Sequence, residues 1–436
     1  MKSVLPGIHE TIPIRTLMMG MSSLLLAVTA TAERSMDSRS AGAKPNLIVI
    51  LADDLGFGDL GCYGNEVIKT PRIDRMAAEG TRFTDFYVPA AQCTPTRAAF
   101  LTGCYPQRIN SHRLFGGDNL GINPDEITIA ELLGNQGYRT GCIGKWHLGD
   151  KPMFHPNNHG FDDFYGFLNP RYFDKTKRLI HRNRKVVATG PETSRITDDL
   201  TREAVEFIRK HGDLPTGSGE RDPFFLYLAH DMPHIPLELP AQRRGSSRGG
   251  LYGDVIEHID WSVGEVLDAL RDHGLERETI VLYTSDNGPA VHWRLETGSA
   301  GPLRGSKHTT CEGGFRVPLI AWGPGRISGG RECSAMATIM DFLPTFTELA
   351  GGTVPTDRVI DGKNIWPLLS GEAGAESPHA AFFYYKRDRR AGHIEGVRAG
   401  DWKLRVPIAA YHERARQRKG GFELIELKFD ENGELP

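Results

Sequence analysis

Asn46-Leu-Ile-Val-Ile-Leu-Ala52, cut off by Asp53-Asp54, is the stretch on which the fold turns. It is apolar without interruption from Leu47 to Ala52, and Ile48, Val49 and Ile50 are β-branched. A continuous apolar run, as opposed to an alternating one, belongs to a strand covered on both faces, as in a parallel sheet between layers of helices. Phe224 to Ala229 repeats the pattern, and so does Thr279 to Tyr283, which ends at Ser285-Asp286-Asn287-Gly288. Helical segments lie between these runs. Thr70-Pro71 opens one with a capping hydroxyl and Pro at its first position; Ile73, Met76 and Ala77 form its buried stripe and Gly80 ends it. Others are expected over Thr128–Gln136 and 198–210, and along the face of Val255, Ile259, Val263, Val266 and Leu270. A strand near Tyr138 to Ile143 leads into Lys145-Trp146-His147. Strands alternating with helices predict an α/β fold with a mostly parallel sheet, whose ligand site lies beyond the carboxyl ends of the strands. Each polar cluster named above falls there.

The pattern changes after about residue 375. Ala380 to Tyr385, Gly396 to Ala399 and Trp402 to Val406 read as short strands, the last two joined at Gly400-Asp401. The expected division is a catalytic domain over 43–375 and a small antiparallel C-terminal domain over 376–436. Gly245 to Gly250 reads as a flexible surface loop.

With 436 residues and 39% hydrophobic content, the chain is globular and long enough for more than one core. Its formal net charge is −3, so the electrostatic attraction that dominates nucleic-acid binding is missing. Residues 1–32 read as an export signal: Lys2 and Arg15 precede the apolar run Leu17 to Val28, which closes on Ala30-Thr31-Ala32. The run is too short for a membrane anchor, so no membrane attachment is expected after cleavage, and the mature chain starts near Glu33. Loss of this segment leaves a charge of −4, because Lys2 and Arg15 outweigh Glu10. Export permits disulfides among Cys62, Cys93, Cys104, Cys142, Cys311 and Cys333, although no spacing suggests zinc.

Asp53-Asp54 and Asp286-Asn287 are pairs of oxygen ligands at two strand ends, suited to one shared hard cation, although such pairs also build ordinary turns. Cys93-Thr-Pro-Thr-Arg97, continuing Ala-Ala-Phe-Leu-Thr-Gly103, places a cysteine and an arginine around Pro95 at a helix start, where backbone N–H groups can hold an anion. Taken alone, Cys93 reads as a small buried hydrophobe before it reads as a reactive group. Lys175 to Lys185 holds Lys175, Lys177, Arg178, Arg182, Arg184 and Lys185 and no acid; it reads as a solvated hairpin or as a contact for a polyanion.

The Cys93 segment resembles the sulfatase signature Cys-x-Pro-x-Arg followed by Leu-Thr-Gly, with Thr96 where that family most often has Ser. Asp53-Asp54, Gly144-Lys145-Trp146-His147-Leu148-Gly149, Pro233-His234, Asp286-Asn287-Gly288 and Lys307 resemble the family's other stations, in the same order. The resemblance, closest to the arylsulfatase and N-acetylgalactosamine-6-sulfatase branches, implies an alkaline-phosphatase-like fold and a sulfuric ester hydrolase. It implies that Cys93 is oxidised to formylglycine by formylglycine-generating machinery and that the aldehyde hydrate is the nucleophile. Calcium, with magnesium second, would be held by Asp53, Asp54, Asp286, Asn287 and residue 93. Arg97, Lys145 and Lys307 would supply positive charge, His147 would act as base, and His234 and Lys307 would hold sulfate and protonate the departing oxygen. Arg304 is a further possible contact. The implied substrate is an aryl sulfate or a sulfated glycan, and the implied location is exported: periplasmic, secreted or lysosome-like. The rival readings are a phosphoester or phosphonate hydrolase on the same fold, and a non-catalytic sulfated-glycan-binding protein in which Cys93 stays unmodified. Phe422 to Pro436 resembles the family's closing segment.

Overall fold

The computed structural model describes residues 44–114, 120–171, 174–212, 221–291, 297–386, 393–405 and 423–426. The export segment lies outside the described residues, as does most of the closing segment. In chain order the strands are β1 (Asn46–Ala52), β2 (Thr81–Phe83), β3 (Phe86–Tyr87), β4 (Arg139–Lys145), β5 (Asp163–Phe167), β6 (Leu179–Arg182), β7 (Lys185–Thr189) and β8 (Phe224–Ala229). They continue with β9 (Thr279–Ser285), β10 (Leu319–Trp322), β11 (Arg331–Cys333), β12 (Ala337–Thr338), β13 (Phe382–Tyr385), β14 (Ile394–Ala399), β15 (Trp402–Arg405) and β16 (Glu423–Glu426).

Ten strands form one sheet in the order β11-β2-β10-β9-β1-β8-β4-β5-β6-β7. Its middle, β9-β1-β8-β4-β5, is parallel throughout. The flanks carry antiparallel pairings, with β10 against β9 and β2 on one side and the β5-β6-β7 meander on the other. Strand β1 sits in the centre because both of its faces are apolar: Leu47, Val49 and Leu51 join one buried cluster, while Ile48, Ile50 and Ala52 join the other. Two helix layers are needed to cover such a strand. One contains Cys93–Thr102 and Phe342–Leu349; the other contains Pro71–Glu79, Ile196–Gly212 and Gly250–Asp272.

The small C-terminal sheet is present, with order β13-β14-β15-β16 and antiparallel pairing throughout. Some local expectations are corrected. Thr70 does not cap its helix; its hydroxyl accepts from Gly61 N at 2.8 Å and donates to Asp74 Oδ1 at 2.9 Å. The Gly245 to Gly250 loop is not loose, since the N–H groups of Gly245, Ser246 and Ser247 all donate to the Asp254 carboxylate. All six cysteines are free thiols.

Candidate active site

Strand register builds the site. Ala52 pairs with Ser285, so the next residues, Asp53 and Asp286, leave adjacent parallel strands side by side. Gly144 pairs with Ala229, which places Lys145 at the same edge. A side chain at Gly144 would lie 1.9 Å from the Ala229 carbonyl oxygen, so only glycine lets β4 approach β8 here. Cys93 begins the Cys93–Thr102 helix, whose residues are all buried, and that helix points its first turn at the strand ends.

The structure brings the sequence-selected residues together. Ligand atoms of Asp53, Asp54, Cys93 and Asp286 lie within 4.8 Å of one another. Lys145 Nζ is paired with Asp53, and Lys307 Nζ bonds Asp54 and lies 3.5 Å from Cys93 Sγ. Asn287 Nδ2 donates to Asp54 Oδ1 at 2.7 Å, and His234 Nε2 stands 3.6 Å from Asp54 Oδ2. His147 is buried, and its carbonyl accepts from Thr94 Oγ1 at 3.0 Å. His234 follows β8 only after a short loop, flanked by cis bonds at Met232-Pro233 and Ile235-Pro236. Asp54, His147 and His308 hold φ of 69°, 59° and 69°, a left-handed conformation that costs non-glycine residues of order 1–3 kcal/mol each and that collects at working sites.

Arg97 is spent on the scaffold. Its Nε and Nη2 donate to Asp286 Oδ2 at 2.9 and 2.7 Å, and its Nη1 donates to the Lys145 carbonyl and the Tyr227 hydroxyl. Arg304 is exposed on the surface. Tyr227 was not singled out in the sequence; a hydroxyl inside the otherwise apolar run Phe224–Ala229 needs a buried partner, and that was its signal.

Three carboxylates face Arg97, Lys145 and Lys307 in a buried pocket. Burial works against charge at Asp53, but Lys145, His234 and Arg97 hold it well below the usual carboxylate range. At Asp286, burial and the neighbouring Asp53 win, pushing its carboxyl up to about 6. Burial also raises the Cys93 thiol well above the ordinary range, so it is neutral at physiological pH and a poor nucleophile. The residues fit a hard cation. Asp54 Oδ2 and Asn287 Oδ1 are buried and accept no hydrogen bond, and an all-oxygen set with three acids is the chemistry calcium or magnesium takes. With the acids already balanced by three side-chain cations, a divalent ion would leave surplus positive charge for an anionic substrate.

The C-terminal sheet grips the segment that follows Lys307. Lys403 Nζ donates to the Thr310 carbonyl and to Glu312 Oε1, both at 2.8 Å, and Thr310 Oγ1 donates to Glu395 Oε2 at 2.9 Å. Tyr384 and Tyr87 also donate to Glu312. Burial opposes its ionisation, yet Lys403 and Arg316 bring the Glu312 carboxyl down to about 2. Removing one partner of such a buried pair strands the other, at a cost of about 3–5 kcal/mol. Lys403→Met is therefore expected to lower the denaturant midpoint strongly, and adding Glu312→Gln to recover part of the loss. A Lys403→Met midpoint equal to wild type would show that the pair contributes nothing.

A sequence profile described as Sulfatase matches residues 45–352, and one described as N-sulphoglucosamine sulphohydrolase, C-terminal, matches residues 306–432. N-acetylgalactosamine-6-sulfatase of Canis lupus familiaris is 38% identical over 393 residues, covering 84% of this chain and 72% of the relative. The chain belongs to the sulfatase family. Among other sulfatases, the steryl-sulfatase of Rattus norvegicus is 34% identical over 449 residues, covering 83% of this chain and 76% of the relative. The crystal structure of Ps i-CgsB in complex with k-i-k-neocarrahexaose superposes with a TM-score of 0.74 at 33% identity, covering 88% of this chain and 86% of that one. This sulfatase is accordingly a sulfuric ester hydrolase on the alkaline-phosphatase-like fold anticipated from the sequence.

Proposed function

We propose that this sulfatase cleaves sulfate monoesters of carbohydrates and aryl alcohols with a formylglycine made from Cys93 and a calcium ion held by Asp53, Asp54, Asp286, Asn287 and residue 93. The observation that carries the reading is the Cys93 side chain: it stands among three acids and two lysines, yet burial keeps it from being a useful thiolate. Conversion to an aldehyde hydrate removes that difficulty, since a hydroxyl nucleophile beside a divalent cation needs no thiolate; when bound, the ion supplies Lewis acidity and counter-charge to the sulfate.

The chain's own groups do the rest. Lys145 and Lys307 neutralise sulfate oxygens in a pocket where water is excluded and fixed charges act most strongly. Arg97 is a positioning residue: it fixes Asp286 and the Lys145 carbonyl. His147, which burial and Lys145 keep neutral, is suited to accept a proton from residue 93, and His234 and Lys307 share sulfate binding and protonation of the departing alcohol. The chain is exported, residues 1–32 are its signal, and 43–375 and 376–436 are its two domains. Among the described residues no helix is long and apolar enough to cross a membrane.

Tryptic mass spectrometry of the peptide containing residue 93, beside an aryl sulfate assay, tests the reading; an active protein carrying only the thiol would overturn it. Lys145→Ala and Lys307→Ala are each expected to lower kcat/KM on an aryl sulfate by at least ~10²-fold, the scale for loss of one preorganised charge-stabilising donor. Lys177→Ala is expected to leave that small substrate untouched. Equal losses at Lys177 and Lys145 would mean that the sulfate pocket is misplaced.

A further inference from the structure

Two arginines of the basic run at 175–185 are spent on ion pairs. Arg178 is fully buried against Asp231 at 2.7 Å, and Arg182 is paired with Glu203 on the β6-β7 hairpin. What the run does build is one wall of an open groove lined by the cations Lys151, Arg171 and Lys177, by one acid, Asp150, and by Leu168, Asn169, Leu179 and His181. The groove shares structure with the candidate site. The His147 N–H donates to the Leu168 carbonyl at 3.0 Å, and Asp150 and Lys151 follow directly from His147-Leu148-Gly149. Arg178 ties the two together, donating from Nε to the Pro170 carbonyl at 2.7 Å while its Nη1 holds Asp231, three residues before His234.

Three features give the groove a chemistry. Lys151, Arg171 and Lys177 are exposed cations on a protein whose net charge is −3, so an anionic ligand meets attraction here against the general sign of the surface. Their ion pairs lie at the surface: Arg171 is 3.8 Å from Asp150, Lys177 is 2.7 Å from Asp174 with both side chains exposed, and Lys151 makes no ion pair among the described residues. Exposed pairs of this kind contribute little and exchange partners readily. Leu179 is 41% exposed beside these charges, offering an apolar surface to the C–H face of a sugar ring. Arg171 holds φ of 51°, so its backbone is fixed in an uncommon conformation at the groove's rim.

We infer that this groove is a second anion-recognising subsite, which binds a sulfate or carboxylate on the sugar next to the one being desulfated, so that the preferred substrates are oligosaccharides carrying more than one acidic group. The inference rests on the sulfated-carbohydrate reading above. Alternating uronate and sulfated hexosamine, or consecutive sulfated hexoses, satisfy it.

The test uses the purified full chain with aryl sulfate as reporter and chondroitin 6-sulfate tetrasaccharide or carrageenan hexasaccharide as competitor. Lys151→Met and Arg171→Asn, asparagine being tolerant of positive φ, are each expected to raise the inhibition constant of the better competitor about tenfold. Aryl sulfate kinetics should stay within about twofold, and the wild-type inhibition constant should rise with salt. N-acetylgalactosamine 6-sulfate, as the monosaccharide competitor, should bind wild type and both variants alike. Unchanged inhibition constants, parallel loss on the aryl sulfate, or absence of inhibition of wild type by either oligosaccharide would overturn the inference. So would a Lys386→Met variant carrying the whole effect, because Lys386 lines a different cavity, with Gln92, His308 and Tyr385. A wild type inert toward aryl sulfate would count instead against the proposed function.

Discussion

Cys93→Ser is expected to abolish steady-state turnover. The argument is a count of hydroxyls. An aldehyde hydrate at residue 93 has two on one carbon, so that after one has taken sulfate the other can expel it and restore the aldehyde. Serine has one. In the same buried setting, with Lys307 at hand and the acids that follow β1 and β9 around it, a serine hydroxyl can at most attack once, and its sulfate ester then has no neighbouring hydroxyl to release it. The expected record is no sustained activity and, where attack occurs, a slow stoichiometric burst with a sulfonate (SO3) mass increment on the peptide containing residue 93. Sustained turnover by this variant would sink the mechanism and leave the fold and family untouched.

The second large effect is that of the cation. Chelation followed by gel filtration is expected to remove aryl sulfate hydrolysis altogether and to lower thermal stability. The stability loss follows from Asp286, where burial and Asp53 already disfavour charge, and from the buried oxygens Asp54 Oδ2 and Asn287 Oδ1. Calcium should restore both properties, magnesium less completely, since a near-ideal octahedron is harder to build from these residues than calcium's looser shell. Asp54→Asn and Asn287→Ala should each weaken the calcium dependence of the melting temperature, a readout that does not require catalysis. Full activity in chelated protein, or zinc at Asp53 and Asp286 by anomalous scattering, would refute the assignment.

The central sheet was legible in the sequence because its strands are buried on both faces and therefore spell uninterrupted apolar runs, as Leu47 to Ala52 does. Their polar ends were legible as candidates because they follow such runs, but an acid pair there also builds ordinary turns, and only the Cys93 segment and the other stations in order singled them out. The flanking strands β2, β5, β10 and β11 were not anticipated, since strands as short as Thr81–Phe83 and Arg331–Cys333 carry too few residues to show a period. The helix cap expected at Thr70 failed because Gly61 and Asp74, distant or unweighted in a local reading, compete for its hydroxyl. Within the site, the acids and Lys145 were found from their positions at strand ends, and Lys307, in a Gly-rich loop, only from the family resemblance. The scaffold role of Arg97 and the hold of Lys403 on Thr310 depend on tertiary packing across 189 and 93 positions, which no local pattern records.

The burial of residue 93 also sets a clock. Lys307, which closes over that side chain, is joined to the growing polypeptide 214 residues later. At roughly 5–20 residues per second, the ribosome needs about 10–40 s to cover that distance. Until then the Lys307 segment is absent, and for most of the interval β9 is absent too, so the thiol stands open to any oxidising enzyme that meets the nascent chain. Slower translation between Arg97 and Lys307 would lengthen that interval, and faster folding of the upstream helices would shorten it. On the proposed reading, in which Cys93 must be oxidised before it can act, the tempo of synthesis would set the fraction of molecules that become catalysts, before the protein has a finished shape.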